Sequence, residues 1–487
     1  MKTTAPAFLA AVLILAATQC SAQALHAQSP TTPPQPVKAR LIVLTDIENE
    51  PDDTMSLVRL LTYSNQIDIE GLVATTSMFM TGRVAPESIH AVIAAYAQAR
   101  PNLLLHEKGF PTPESLHAIV RHGLAVYGMQ GVGEGKNSPG SDLIVKALEK
   151  PDPRPVWVTI WGGPNTLGQA LFQIQHSRTP DQAERLYRKL RVYAISDQDD
   201  SGAWIRKTFP QVFYICSPGT NFMTATWPGI NGSFPGSDTE VISREWLARN
   251  IQQGHGPLGA AYPDVAYGME GDTPSWLALI PNGLNDPEHP GYGGWGGRYQ
   301  LYTPSTLPGV LPAAYAGPAP VPPAEMETRP LWTNAEDSWL SPLDNHLYKS
   351  NQATIWRWRT DFQNDFAARL CWATKPYKQC NHPPVAALKA PDRLAVHEGE
   401  VFHLDATGSS DPDGDSLSYL WFQYPEAGTY QGIVSFKPFA SNLKNLQVTA
   451  PHVTKPETLH FLLKVTDKGT PPLTRYRRVI VQVLPKQ

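Results

Sequence analysis

A mostly parallel open α/β sheet with helices on both faces, followed by an all-β sandwich, is the fold class the sequence predicts. Three observations predict it. Strand-like and helix-like segments alternate from Ala39 onward, which argues for a parallel sheet built from crossover units. Short apolar runs such as Leu41-Ile42-Val43-Leu44 lack the polar alternation of a half-solvated strand and so read as buried on both faces. After Asn381 the pattern changes to short alternating strands separated by Gly, Asp and Pro, the signature of a sandwich.

In chain order, residues 1–24 carry Lys2, an apolar stretch from Ala7 to Ala17 and the small-residue ending Ala22-Gln23-Ala24. The apolar part is far shorter than the ~20 residues a spanning helix needs, so the segment reads as a secretory signal peptide. The expected localisation is therefore secreted or periplasmic, with no membrane attachment after the signal is removed. Residues 25–38 form a Pro-rich polar leader. The α/β domain is assigned to residues 39–380. Within it, strands are expected at Leu41–Leu44, Ile67–Thr75, Val156–Ile160, Leu190–Ile195 and Val212–Cys216, with helices at Thr54–Tyr63, Pro86–Ala99, after Asn165 and near Trp204–Phe209. Residues 281–350 are dominated by Gly, Pro, Trp and Tyr and read as irregular, either a wall or lid over a site or a surface wrap. Residues 381–487 are assigned to an immunoglobulin-like or cadherin-like sandwich, with strands at Val401–Leu404, Leu417–Phe422, Leu459–Val465 and Arg478–Val483.

Composition narrows the function classes. The chain has 487 residues, 41% hydrophobic and 17% charged, so it can bury a sizeable core and splits naturally into two or three domains at about 150 residues each. A net charge of −4 without a basic run excludes the electrostatic footprint of a nucleic-acid polymer partner. Past the signal only Cys216, Cys371 and Cys380 remain; Cys216 sits in an apolar run and reads as an inert thiol, while Cys371 and Cys380 can close a small disulfide loop.

The segment with the most chemistry follows the first strand: Asp46, Glu48, Glu50, Asp52 and Asp53. So many like charges repel unless a cation joins them, and Ca²⁺ or Mg²⁺ takes oxygen ligands of this type. The spacing Asp46-x-Glu48-x-x-x-Asp52-Asp53 resembles the Asp-x-Asp-x-x-x-Asp-Asp signature of nucleoside hydrolases, which holds Ca²⁺ beside a sugar. Trp161-Gly162-Gly163-Pro164-Asn165 resembles that family's Gly-Gly-x-x-Asn turn, and Gly271-Asp272 its late calcium-binding aspartate. The phrases DIENEPDD, ISDQDD, EGDTPS and IPNGLNDPEHPGYGGWGGRY are closer still to the secreted nucleoside-hydrolase-like family described as cellulose-binding, in which a β-sandwich follows this domain.

The resemblance implies one Ca²⁺ ion in the α/β domain, with Asp46, Glu48, Asp53, Asp272 and the Trp161 carbonyl as metal ligands and Glu48 as the catalytic carboxylate accepting a proton from the attacking water. It implies substrate contacts from Asp52 and Asn165; Asp199, Asp200 and His255 are added as substrate-binding candidates. Two departures stand out: Glu48 carries one more methylene than the family's aspartate, and Thr75-Thr76-Ser77 replaces an asparagine after the second strand. Asp199 and Asp200 also suit a turn or helix cap, and His255 between glycines also suits a loop donor. Glu50 is expected to face solvent.

The functional expectation is an exported calcium-dependent hydrolase of N- or O-glycosidic bonds, acting on or bound to a plant-type polysaccharide or its fragments, with cellulose as one candidate. An alternative is a non-catalytic cellulose- or carbohydrate-binding protein that retains the metal pocket; a third reading is a true nucleoside hydrolase. In the sandwich, Asp411-Pro412-Asp413-Gly414-Asp415 reads as a turn before a calcium loop, and Tyr419 and Trp421 as core before a sugar platform.

Overall fold

The computed structural model describes residues 37–219, 222–303, 327–434 and 442–486. The expected signal peptide and nearly all of the leader lie outside the described residues. The main sheet comprises β1 (Ala39–Thr45), β2 (Ile67–Ala74), β3 (Val120–His122), β4 (Val156–Ile160), β5 (Leu190–Ser196), β6 (Phe213–Ser217), β7 (Tyr299–Tyr302) and β8 (Leu331–Asn334). Its order is β3-β2-β1-β4-β5-β6-β8-β7, parallel throughout except for the antiparallel β7–β8 pair.

Strand β1 shows why its apolar run is continuous. Leu41 and Val43 enter the core on one face and Ile42 and Leu44 the core on the other, all fully buried. The first core also receives the helices Pro51–Thr62, Pro86–His106 and Arg359–Trp372, and the second receives Pro139–Glu149 and Asn165–Ser177. The order of strands reverses between β1 and β4, so the crossovers from these two leave in opposite directions. In open α/β sheets such a reversal forms a crevice at the carboxyl ends of the strands, which is where they bind ligands.

Element boundaries moved modestly. The first helix begins at Pro51, three residues before its expected start, because proline suits the first helical turn and Asp52 and Asp53 complement its dipole. The helix from Pro86 continues through Pro101 to His106. The Gly/Pro/aromatic segment is not irregular throughout: it adds β7 and β8 to the main sheet and forms a hairpin of β9 (Asp337–Leu340) with β10 (Leu347–Ser350). Strand pairing absorbs its backbone hydrogen bonds, and the Pro318–Pro323 stretch lies outside the described residues.

The sandwich has one sheet of β11 (Arg393–His397), β16 (Thr474–Leu484), β15 (Glu457–Thr466) and β13 (Ser418–Gln423), and a second of β12 (Val401–Asp405) with β14 (Asn445–Thr449). Tyr419 and Trp421 are buried in its core with Phe461 and Val481, as expected. Asp411 accepts from the amides of Asp413 and Asp415 at 2.9 and 3.0 Å, and Asp413 accepts from the His382 amide at 2.7 Å, so the acidic stretch is organised as a turn.

Partly buried pairs join the sandwich to the helix Arg359–Trp372: Lys464 to Asp361 at 2.7 Å and Arg475 to Asp365 at 2.6 Å. Cys371 and Cys380 form a disulfide nine residues apart at this junction. Replacing both by serine is expected to lower stability by about 2–3 kcal/mol from the freed loop entropy, read as a lower urea midpoint. An unchanged midpoint would show that neighbouring contacts, such as Trp372 Nε1 to the Asn381 carbonyl at 2.9 Å, already hold the loop.

Candidate metal centre

The crevice between β1 and β4 collects the acids. Asp46 follows β1 directly, and Asp52 and Asp53 occupy the first turn of the next helix. Asp272, more than two hundred residues later, joins them: carboxylate oxygens of Asp52, Asp53 and Asp272 lie within 4.8 Å of one another. Asp53 accepts from the Thr45 hydroxyl, and Asp52 Oδ1 accepts from the Asp53 amide at 3.1 Å. Oδ2 of Asp46 and Oδ2 of Asp272 are buried with no protein partner.

Burial is the first cause of strain among these carboxyls and mutual repulsion the next. Together they push Asp46 up to about 7 and Asp52 up to about 8, and raise Asp53 and Asp272 well above the carboxylate range. The Ser77 hydroxyl works against this at Asp46. A group of buried carboxylates with orphaned oxygens must take up protons or a cation, and an all-oxygen donor set fits a hard divalent ion such as Ca²⁺.

Glycines allow the close approaches. A Cβ on Gly162 would meet the Asp46 carboxylate at 2.7 to 2.9 Å, and one on Gly271 would meet Asp52 Oδ2 and the Trp227 ring, each at 2.9 Å. Trp161 ties the β4 loop to the Asp272 turn: its indole donates to Ser275 Oγ at 3.1 Å, and Ser275 Oγ donates to the Asp272 carbonyl at 2.7 Å. The Trp161 carbonyl accepts from Gln198 Nε2 at 2.5 Å and retains a second lone pair.

Sequence reasoning missed the support beneath this turn. Glu270 takes a left-handed backbone, φ 52°, and is fully buried. Arg59, fully buried on the first helix, places Nε 2.6 Å from Glu270 Oε2 and donates from Nη2 to Oε1 at 3.0 Å. Tyr262 and Thr273 hydroxyls donate to the same carboxylate at 2.8 and 2.9 Å. The available signal was Arg59 itself, a charged residue inside an otherwise apolar helical stretch.

Several expected site residues are placed elsewhere. Glu48, expected to be catalytic and a metal ligand, has φ 82° and a side chain 41% exposed; Arg83 Nη1 lies 2.5 Å from its Oε2 and Ser88 donates to Oε1. A left-handed residue redirects its side chain, and these two partners hold the carboxylate away from the Asp52–Asp53–Asp272 group. Glu50, expected in solvent, is the half-buried acid whose charge acts on Asp46, Asp52, Asp53 and Asp272.

Asn165, expected to contact substrate, spends its amide on neighbouring loops: Nδ2 donates to Thr76 Oγ1 at 3.1 Å and to the Val126 carbonyl at 2.8 Å, and Oδ1 accepts from Thr75 at 3.0 Å. Asp199 accepts from the amide of Ser201, the first residue of the following helix, at 2.8 Å, while Asp200, the N-cap residue of that helix, turns its carboxylate to the Met129 amide at 2.8 Å. Both are therefore positioning groups rather than free sugar partners. His255 packs by the backbone of Arg249 and Leu370 and the charge of Lys375, surroundings that share nothing with the acidic crevice.

A row of half-exposed rings accompanies the crevice. Phe79, from the loop after β2, lies 6.0 Å from Phe222, which lies 6.0 Å from Trp227 in the loop after β6. Trp227 is anchored by its indole to Ser196 Oγ at 3.2 Å and borders the Gly271–Asp52 approach.

Comparison with known proteins places this geometry in a family. Residues 40–299 match the model described as "Cellulose-binding Sde182, nucleoside hydrolase-like domain", and residues 401–483 match "Cellulose-binding protein Sde0182, C-terminal domain". Among solved structures, a nucleoside hydrolase-related protein from Saccharophagus degradans, described as associated with carbohydrate metabolism, is 37% identical over 92% of this chain and 100% of that one, with a TM-score of 0.75. The effector protein XOO4466 matches at 9% identity over 61% of this chain and 87% of its own, but a TM-score of 0.32 is too low to carry the fold over. No curated protein sequence matches significantly. With more than half the chain matched by the first model and a relative of this identity along nearly its whole length, the chain belongs to the cellulose-binding Sde182 nucleoside hydrolase-like family.

Proposed function

We propose that the protein is an exported, calcium-dependent carbohydrate-binding protein whose recognition site is the crevice between β1 and β4. The observation that carries this reading is the group of half-buried Asp52 with buried Asp53 and Asp272, with unpartnered oxygens on Asp46 and Asp272, beside the ring row Phe79–Phe222–Trp227. Asp52, Asp53 and Asp272 would hold Ca²⁺, with Asp46 Oδ2 or the Trp161 carbonyl as a further oxygen. A bound ion would neutralise the acids and supply open positions for sugar hydroxyls. The rings present apolar faces at the rim, suited to the apolar faces of a polysaccharide such as cellulose. Export follows from the signal-like residues 1–24, and no helix among the described residues is long and apolar enough to cross a membrane.

Binding takes precedence over turnover because Glu48, at the position of the family's proton acceptor, is held by Arg83 and Ser88. One observation favours glycoside hydrolysis as the second reading: Asp46 is a buried carboxylate with an unpartnered Oδ2 beside the acids that would hold the ion, a position from which it could accept a proton from a water. Such a step on a water would proceed with inversion and without a covalent intermediate.

Pull-down on insoluble cellulose, with assays for released reducing ends and for free base from nucleosides, separates the readings. The expected result is retention that EGTA and Asp53→Ala abolish, with no release of either product. Phe79→Ala is expected to weaken retention about fivefold, equivalent to about 1 kcal/mol for one aromatic contact. Release of reducing ends would establish hydrolysis instead, base release would establish a nucleosidase, and absence of both retention and release would overturn the assignment.

A further inference from the structure

A second feature lies away from the acidic crevice, where the sandwich meets the segment that follows the Asp272 turn. A cavity of about 150 Å³ opens there, lined by Leu284 and Asp286 from that segment and by Asp392, Arg393, Arg477 and Arg478 from the sandwich. Taking about 30 Å³ per water, the space holds several waters or one small polar group and part of what carries it.

Its three arginines outnumber its two acids. Arg478 donates from Nη2 to the carbonyls of Leu284 and Gly293, both at 2.9 Å, and its Nη1 lies 3.2 Å from His460 Nδ1. None of these partners carries a negative charge, and Arg478 Nε is buried without any partner. Arg477 is half-buried with its Nε buried and unpartnered, Arg393 is exposed, and no ion pair engages either among the described residues. Of the two acids on the lining, Asp286 lies 2.9 Å from His289 Nδ1 and its charge also reaches Arg478 without hydrogen-bonding it, and Asp392 is exposed.

His460 registers the resulting field. It is buried, and its basicity is pushed down to about 3, first by burial and then by the charges of Arg478, Arg393 and His289. It therefore stays neutral and accepts from Arg478 instead of adding a charge. A guanidinium does not lose its proton in a protein, so an arginine held out of water with only neutral acceptors is a standing cost that an anion would relieve.

We infer that this cavity is an oxyanion site in which Arg477, Arg478 and Arg393 receive the carboxylate of an acidic sugar or a free phosphate. Forked N–H donors suit either oxyanion. The site does not depend on the metal crevice, since no residue is shared.

Calorimetric titration of the whole mature protein at constant ionic strength, with sodium phosphate, sodium galacturonate or sodium chloride, tests it. Saturable binding of phosphate or galacturonate, absent with chloride, is expected, with affinity lowered at least tenfold in Arg477→Ala. A separate calcium titration in chloride buffer should be unchanged in that variant, which shows that it folds and that the two sites are independent. Preference for galacturonate identifies the sugar acid as the source, and preference for phosphate identifies the free ion. No binding beyond the chloride control, or equal binding by wild type and Arg477→Ala, overturns the proposal.

Discussion

Glu270→Ala is expected to destabilise the protein by about 3–5 kcal/mol and to weaken calcium binding at the same time. The carboxylate and Arg59 are both fully buried, and their closest approach is 2.6 Å. Removing one member of such a pair leaves an uncompensated charge in a low-dielectric interior, which costs far more than the pair itself contributes. Tyr262 and Thr273 would lose an acceptor as well. The loss should appear as a lower urea midpoint at unchanged slope. Because Glu270 adopts φ 52° two residues before Asp272, the same substitution also loosens the turn that brings Asp272 to Asp52 and Asp53. A cost below about 1 kcal/mol would show that water or another group satisfies Arg59, and the supporting role would be withdrawn.

Calcium is expected to stabilise the protein strongly, and more at pH 8 than at pH 5. At a free concentration a hundred times the dissociation constant the gain is about 2.7 kcal/mol by mass action. Its pH dependence follows from the metal-free state. Asp46 and Asp52 are raised from 3.8 to about 7 and about 8 by burial and by neighbouring acids. A carboxyl raised in the folded state stabilises fully below its unfolded value, near 4, and that contribution is lost as pH rises through 7 and 8. Chelated protein should therefore weaken across this window, and calcium, which needs the deprotonated acids, should restore most at its upper end.

Thermal unfolding with and without calcium at the two pH values measures this directly. Asp272→Asn separates repulsion from ligation: it should raise the stability of chelated protein at pH 8 while removing the response to calcium. A melting temperature indifferent to calcium at both pH values would sink the metal assignment.

The acids of the crevice were legible because their signal is local. An apolar run followed by Asp46, Asp52 and Asp53 is visible without any structure, and Asp272 was reachable through a second recognisable phrase. Side-chain direction was not legible. Glu48 and Glu50 are equivalent in spacing, yet one left-handed residue sends Glu48 to Arg83 and Ser88 and leaves Glu50 beside the cluster. Asp199, Asp200 and Asn165 lie at the correct sheet edge, but backbone amides and neighbouring loops take up their polar atoms. In the Gly-rich segment, β7 and β8 were missed because their pairing partners lie far away in the chain.

By itself the sequence determined the alternating α/β architecture, the sandwich that follows it, and the acids at the end of the first strand, since hydrophobic periodicity and local charge are properties of contiguous residues. Only the tertiary structure decided which carboxylates converge, that Arg59 and Glu270 hold their turn, and that Arg477 and Arg478 line one cavity with buried, unpartnered Nε atoms. Those outcomes depend on burial and on contacts between residues hundreds of positions apart, where desolvation makes each unpaired charge costly and so selects its neighbours.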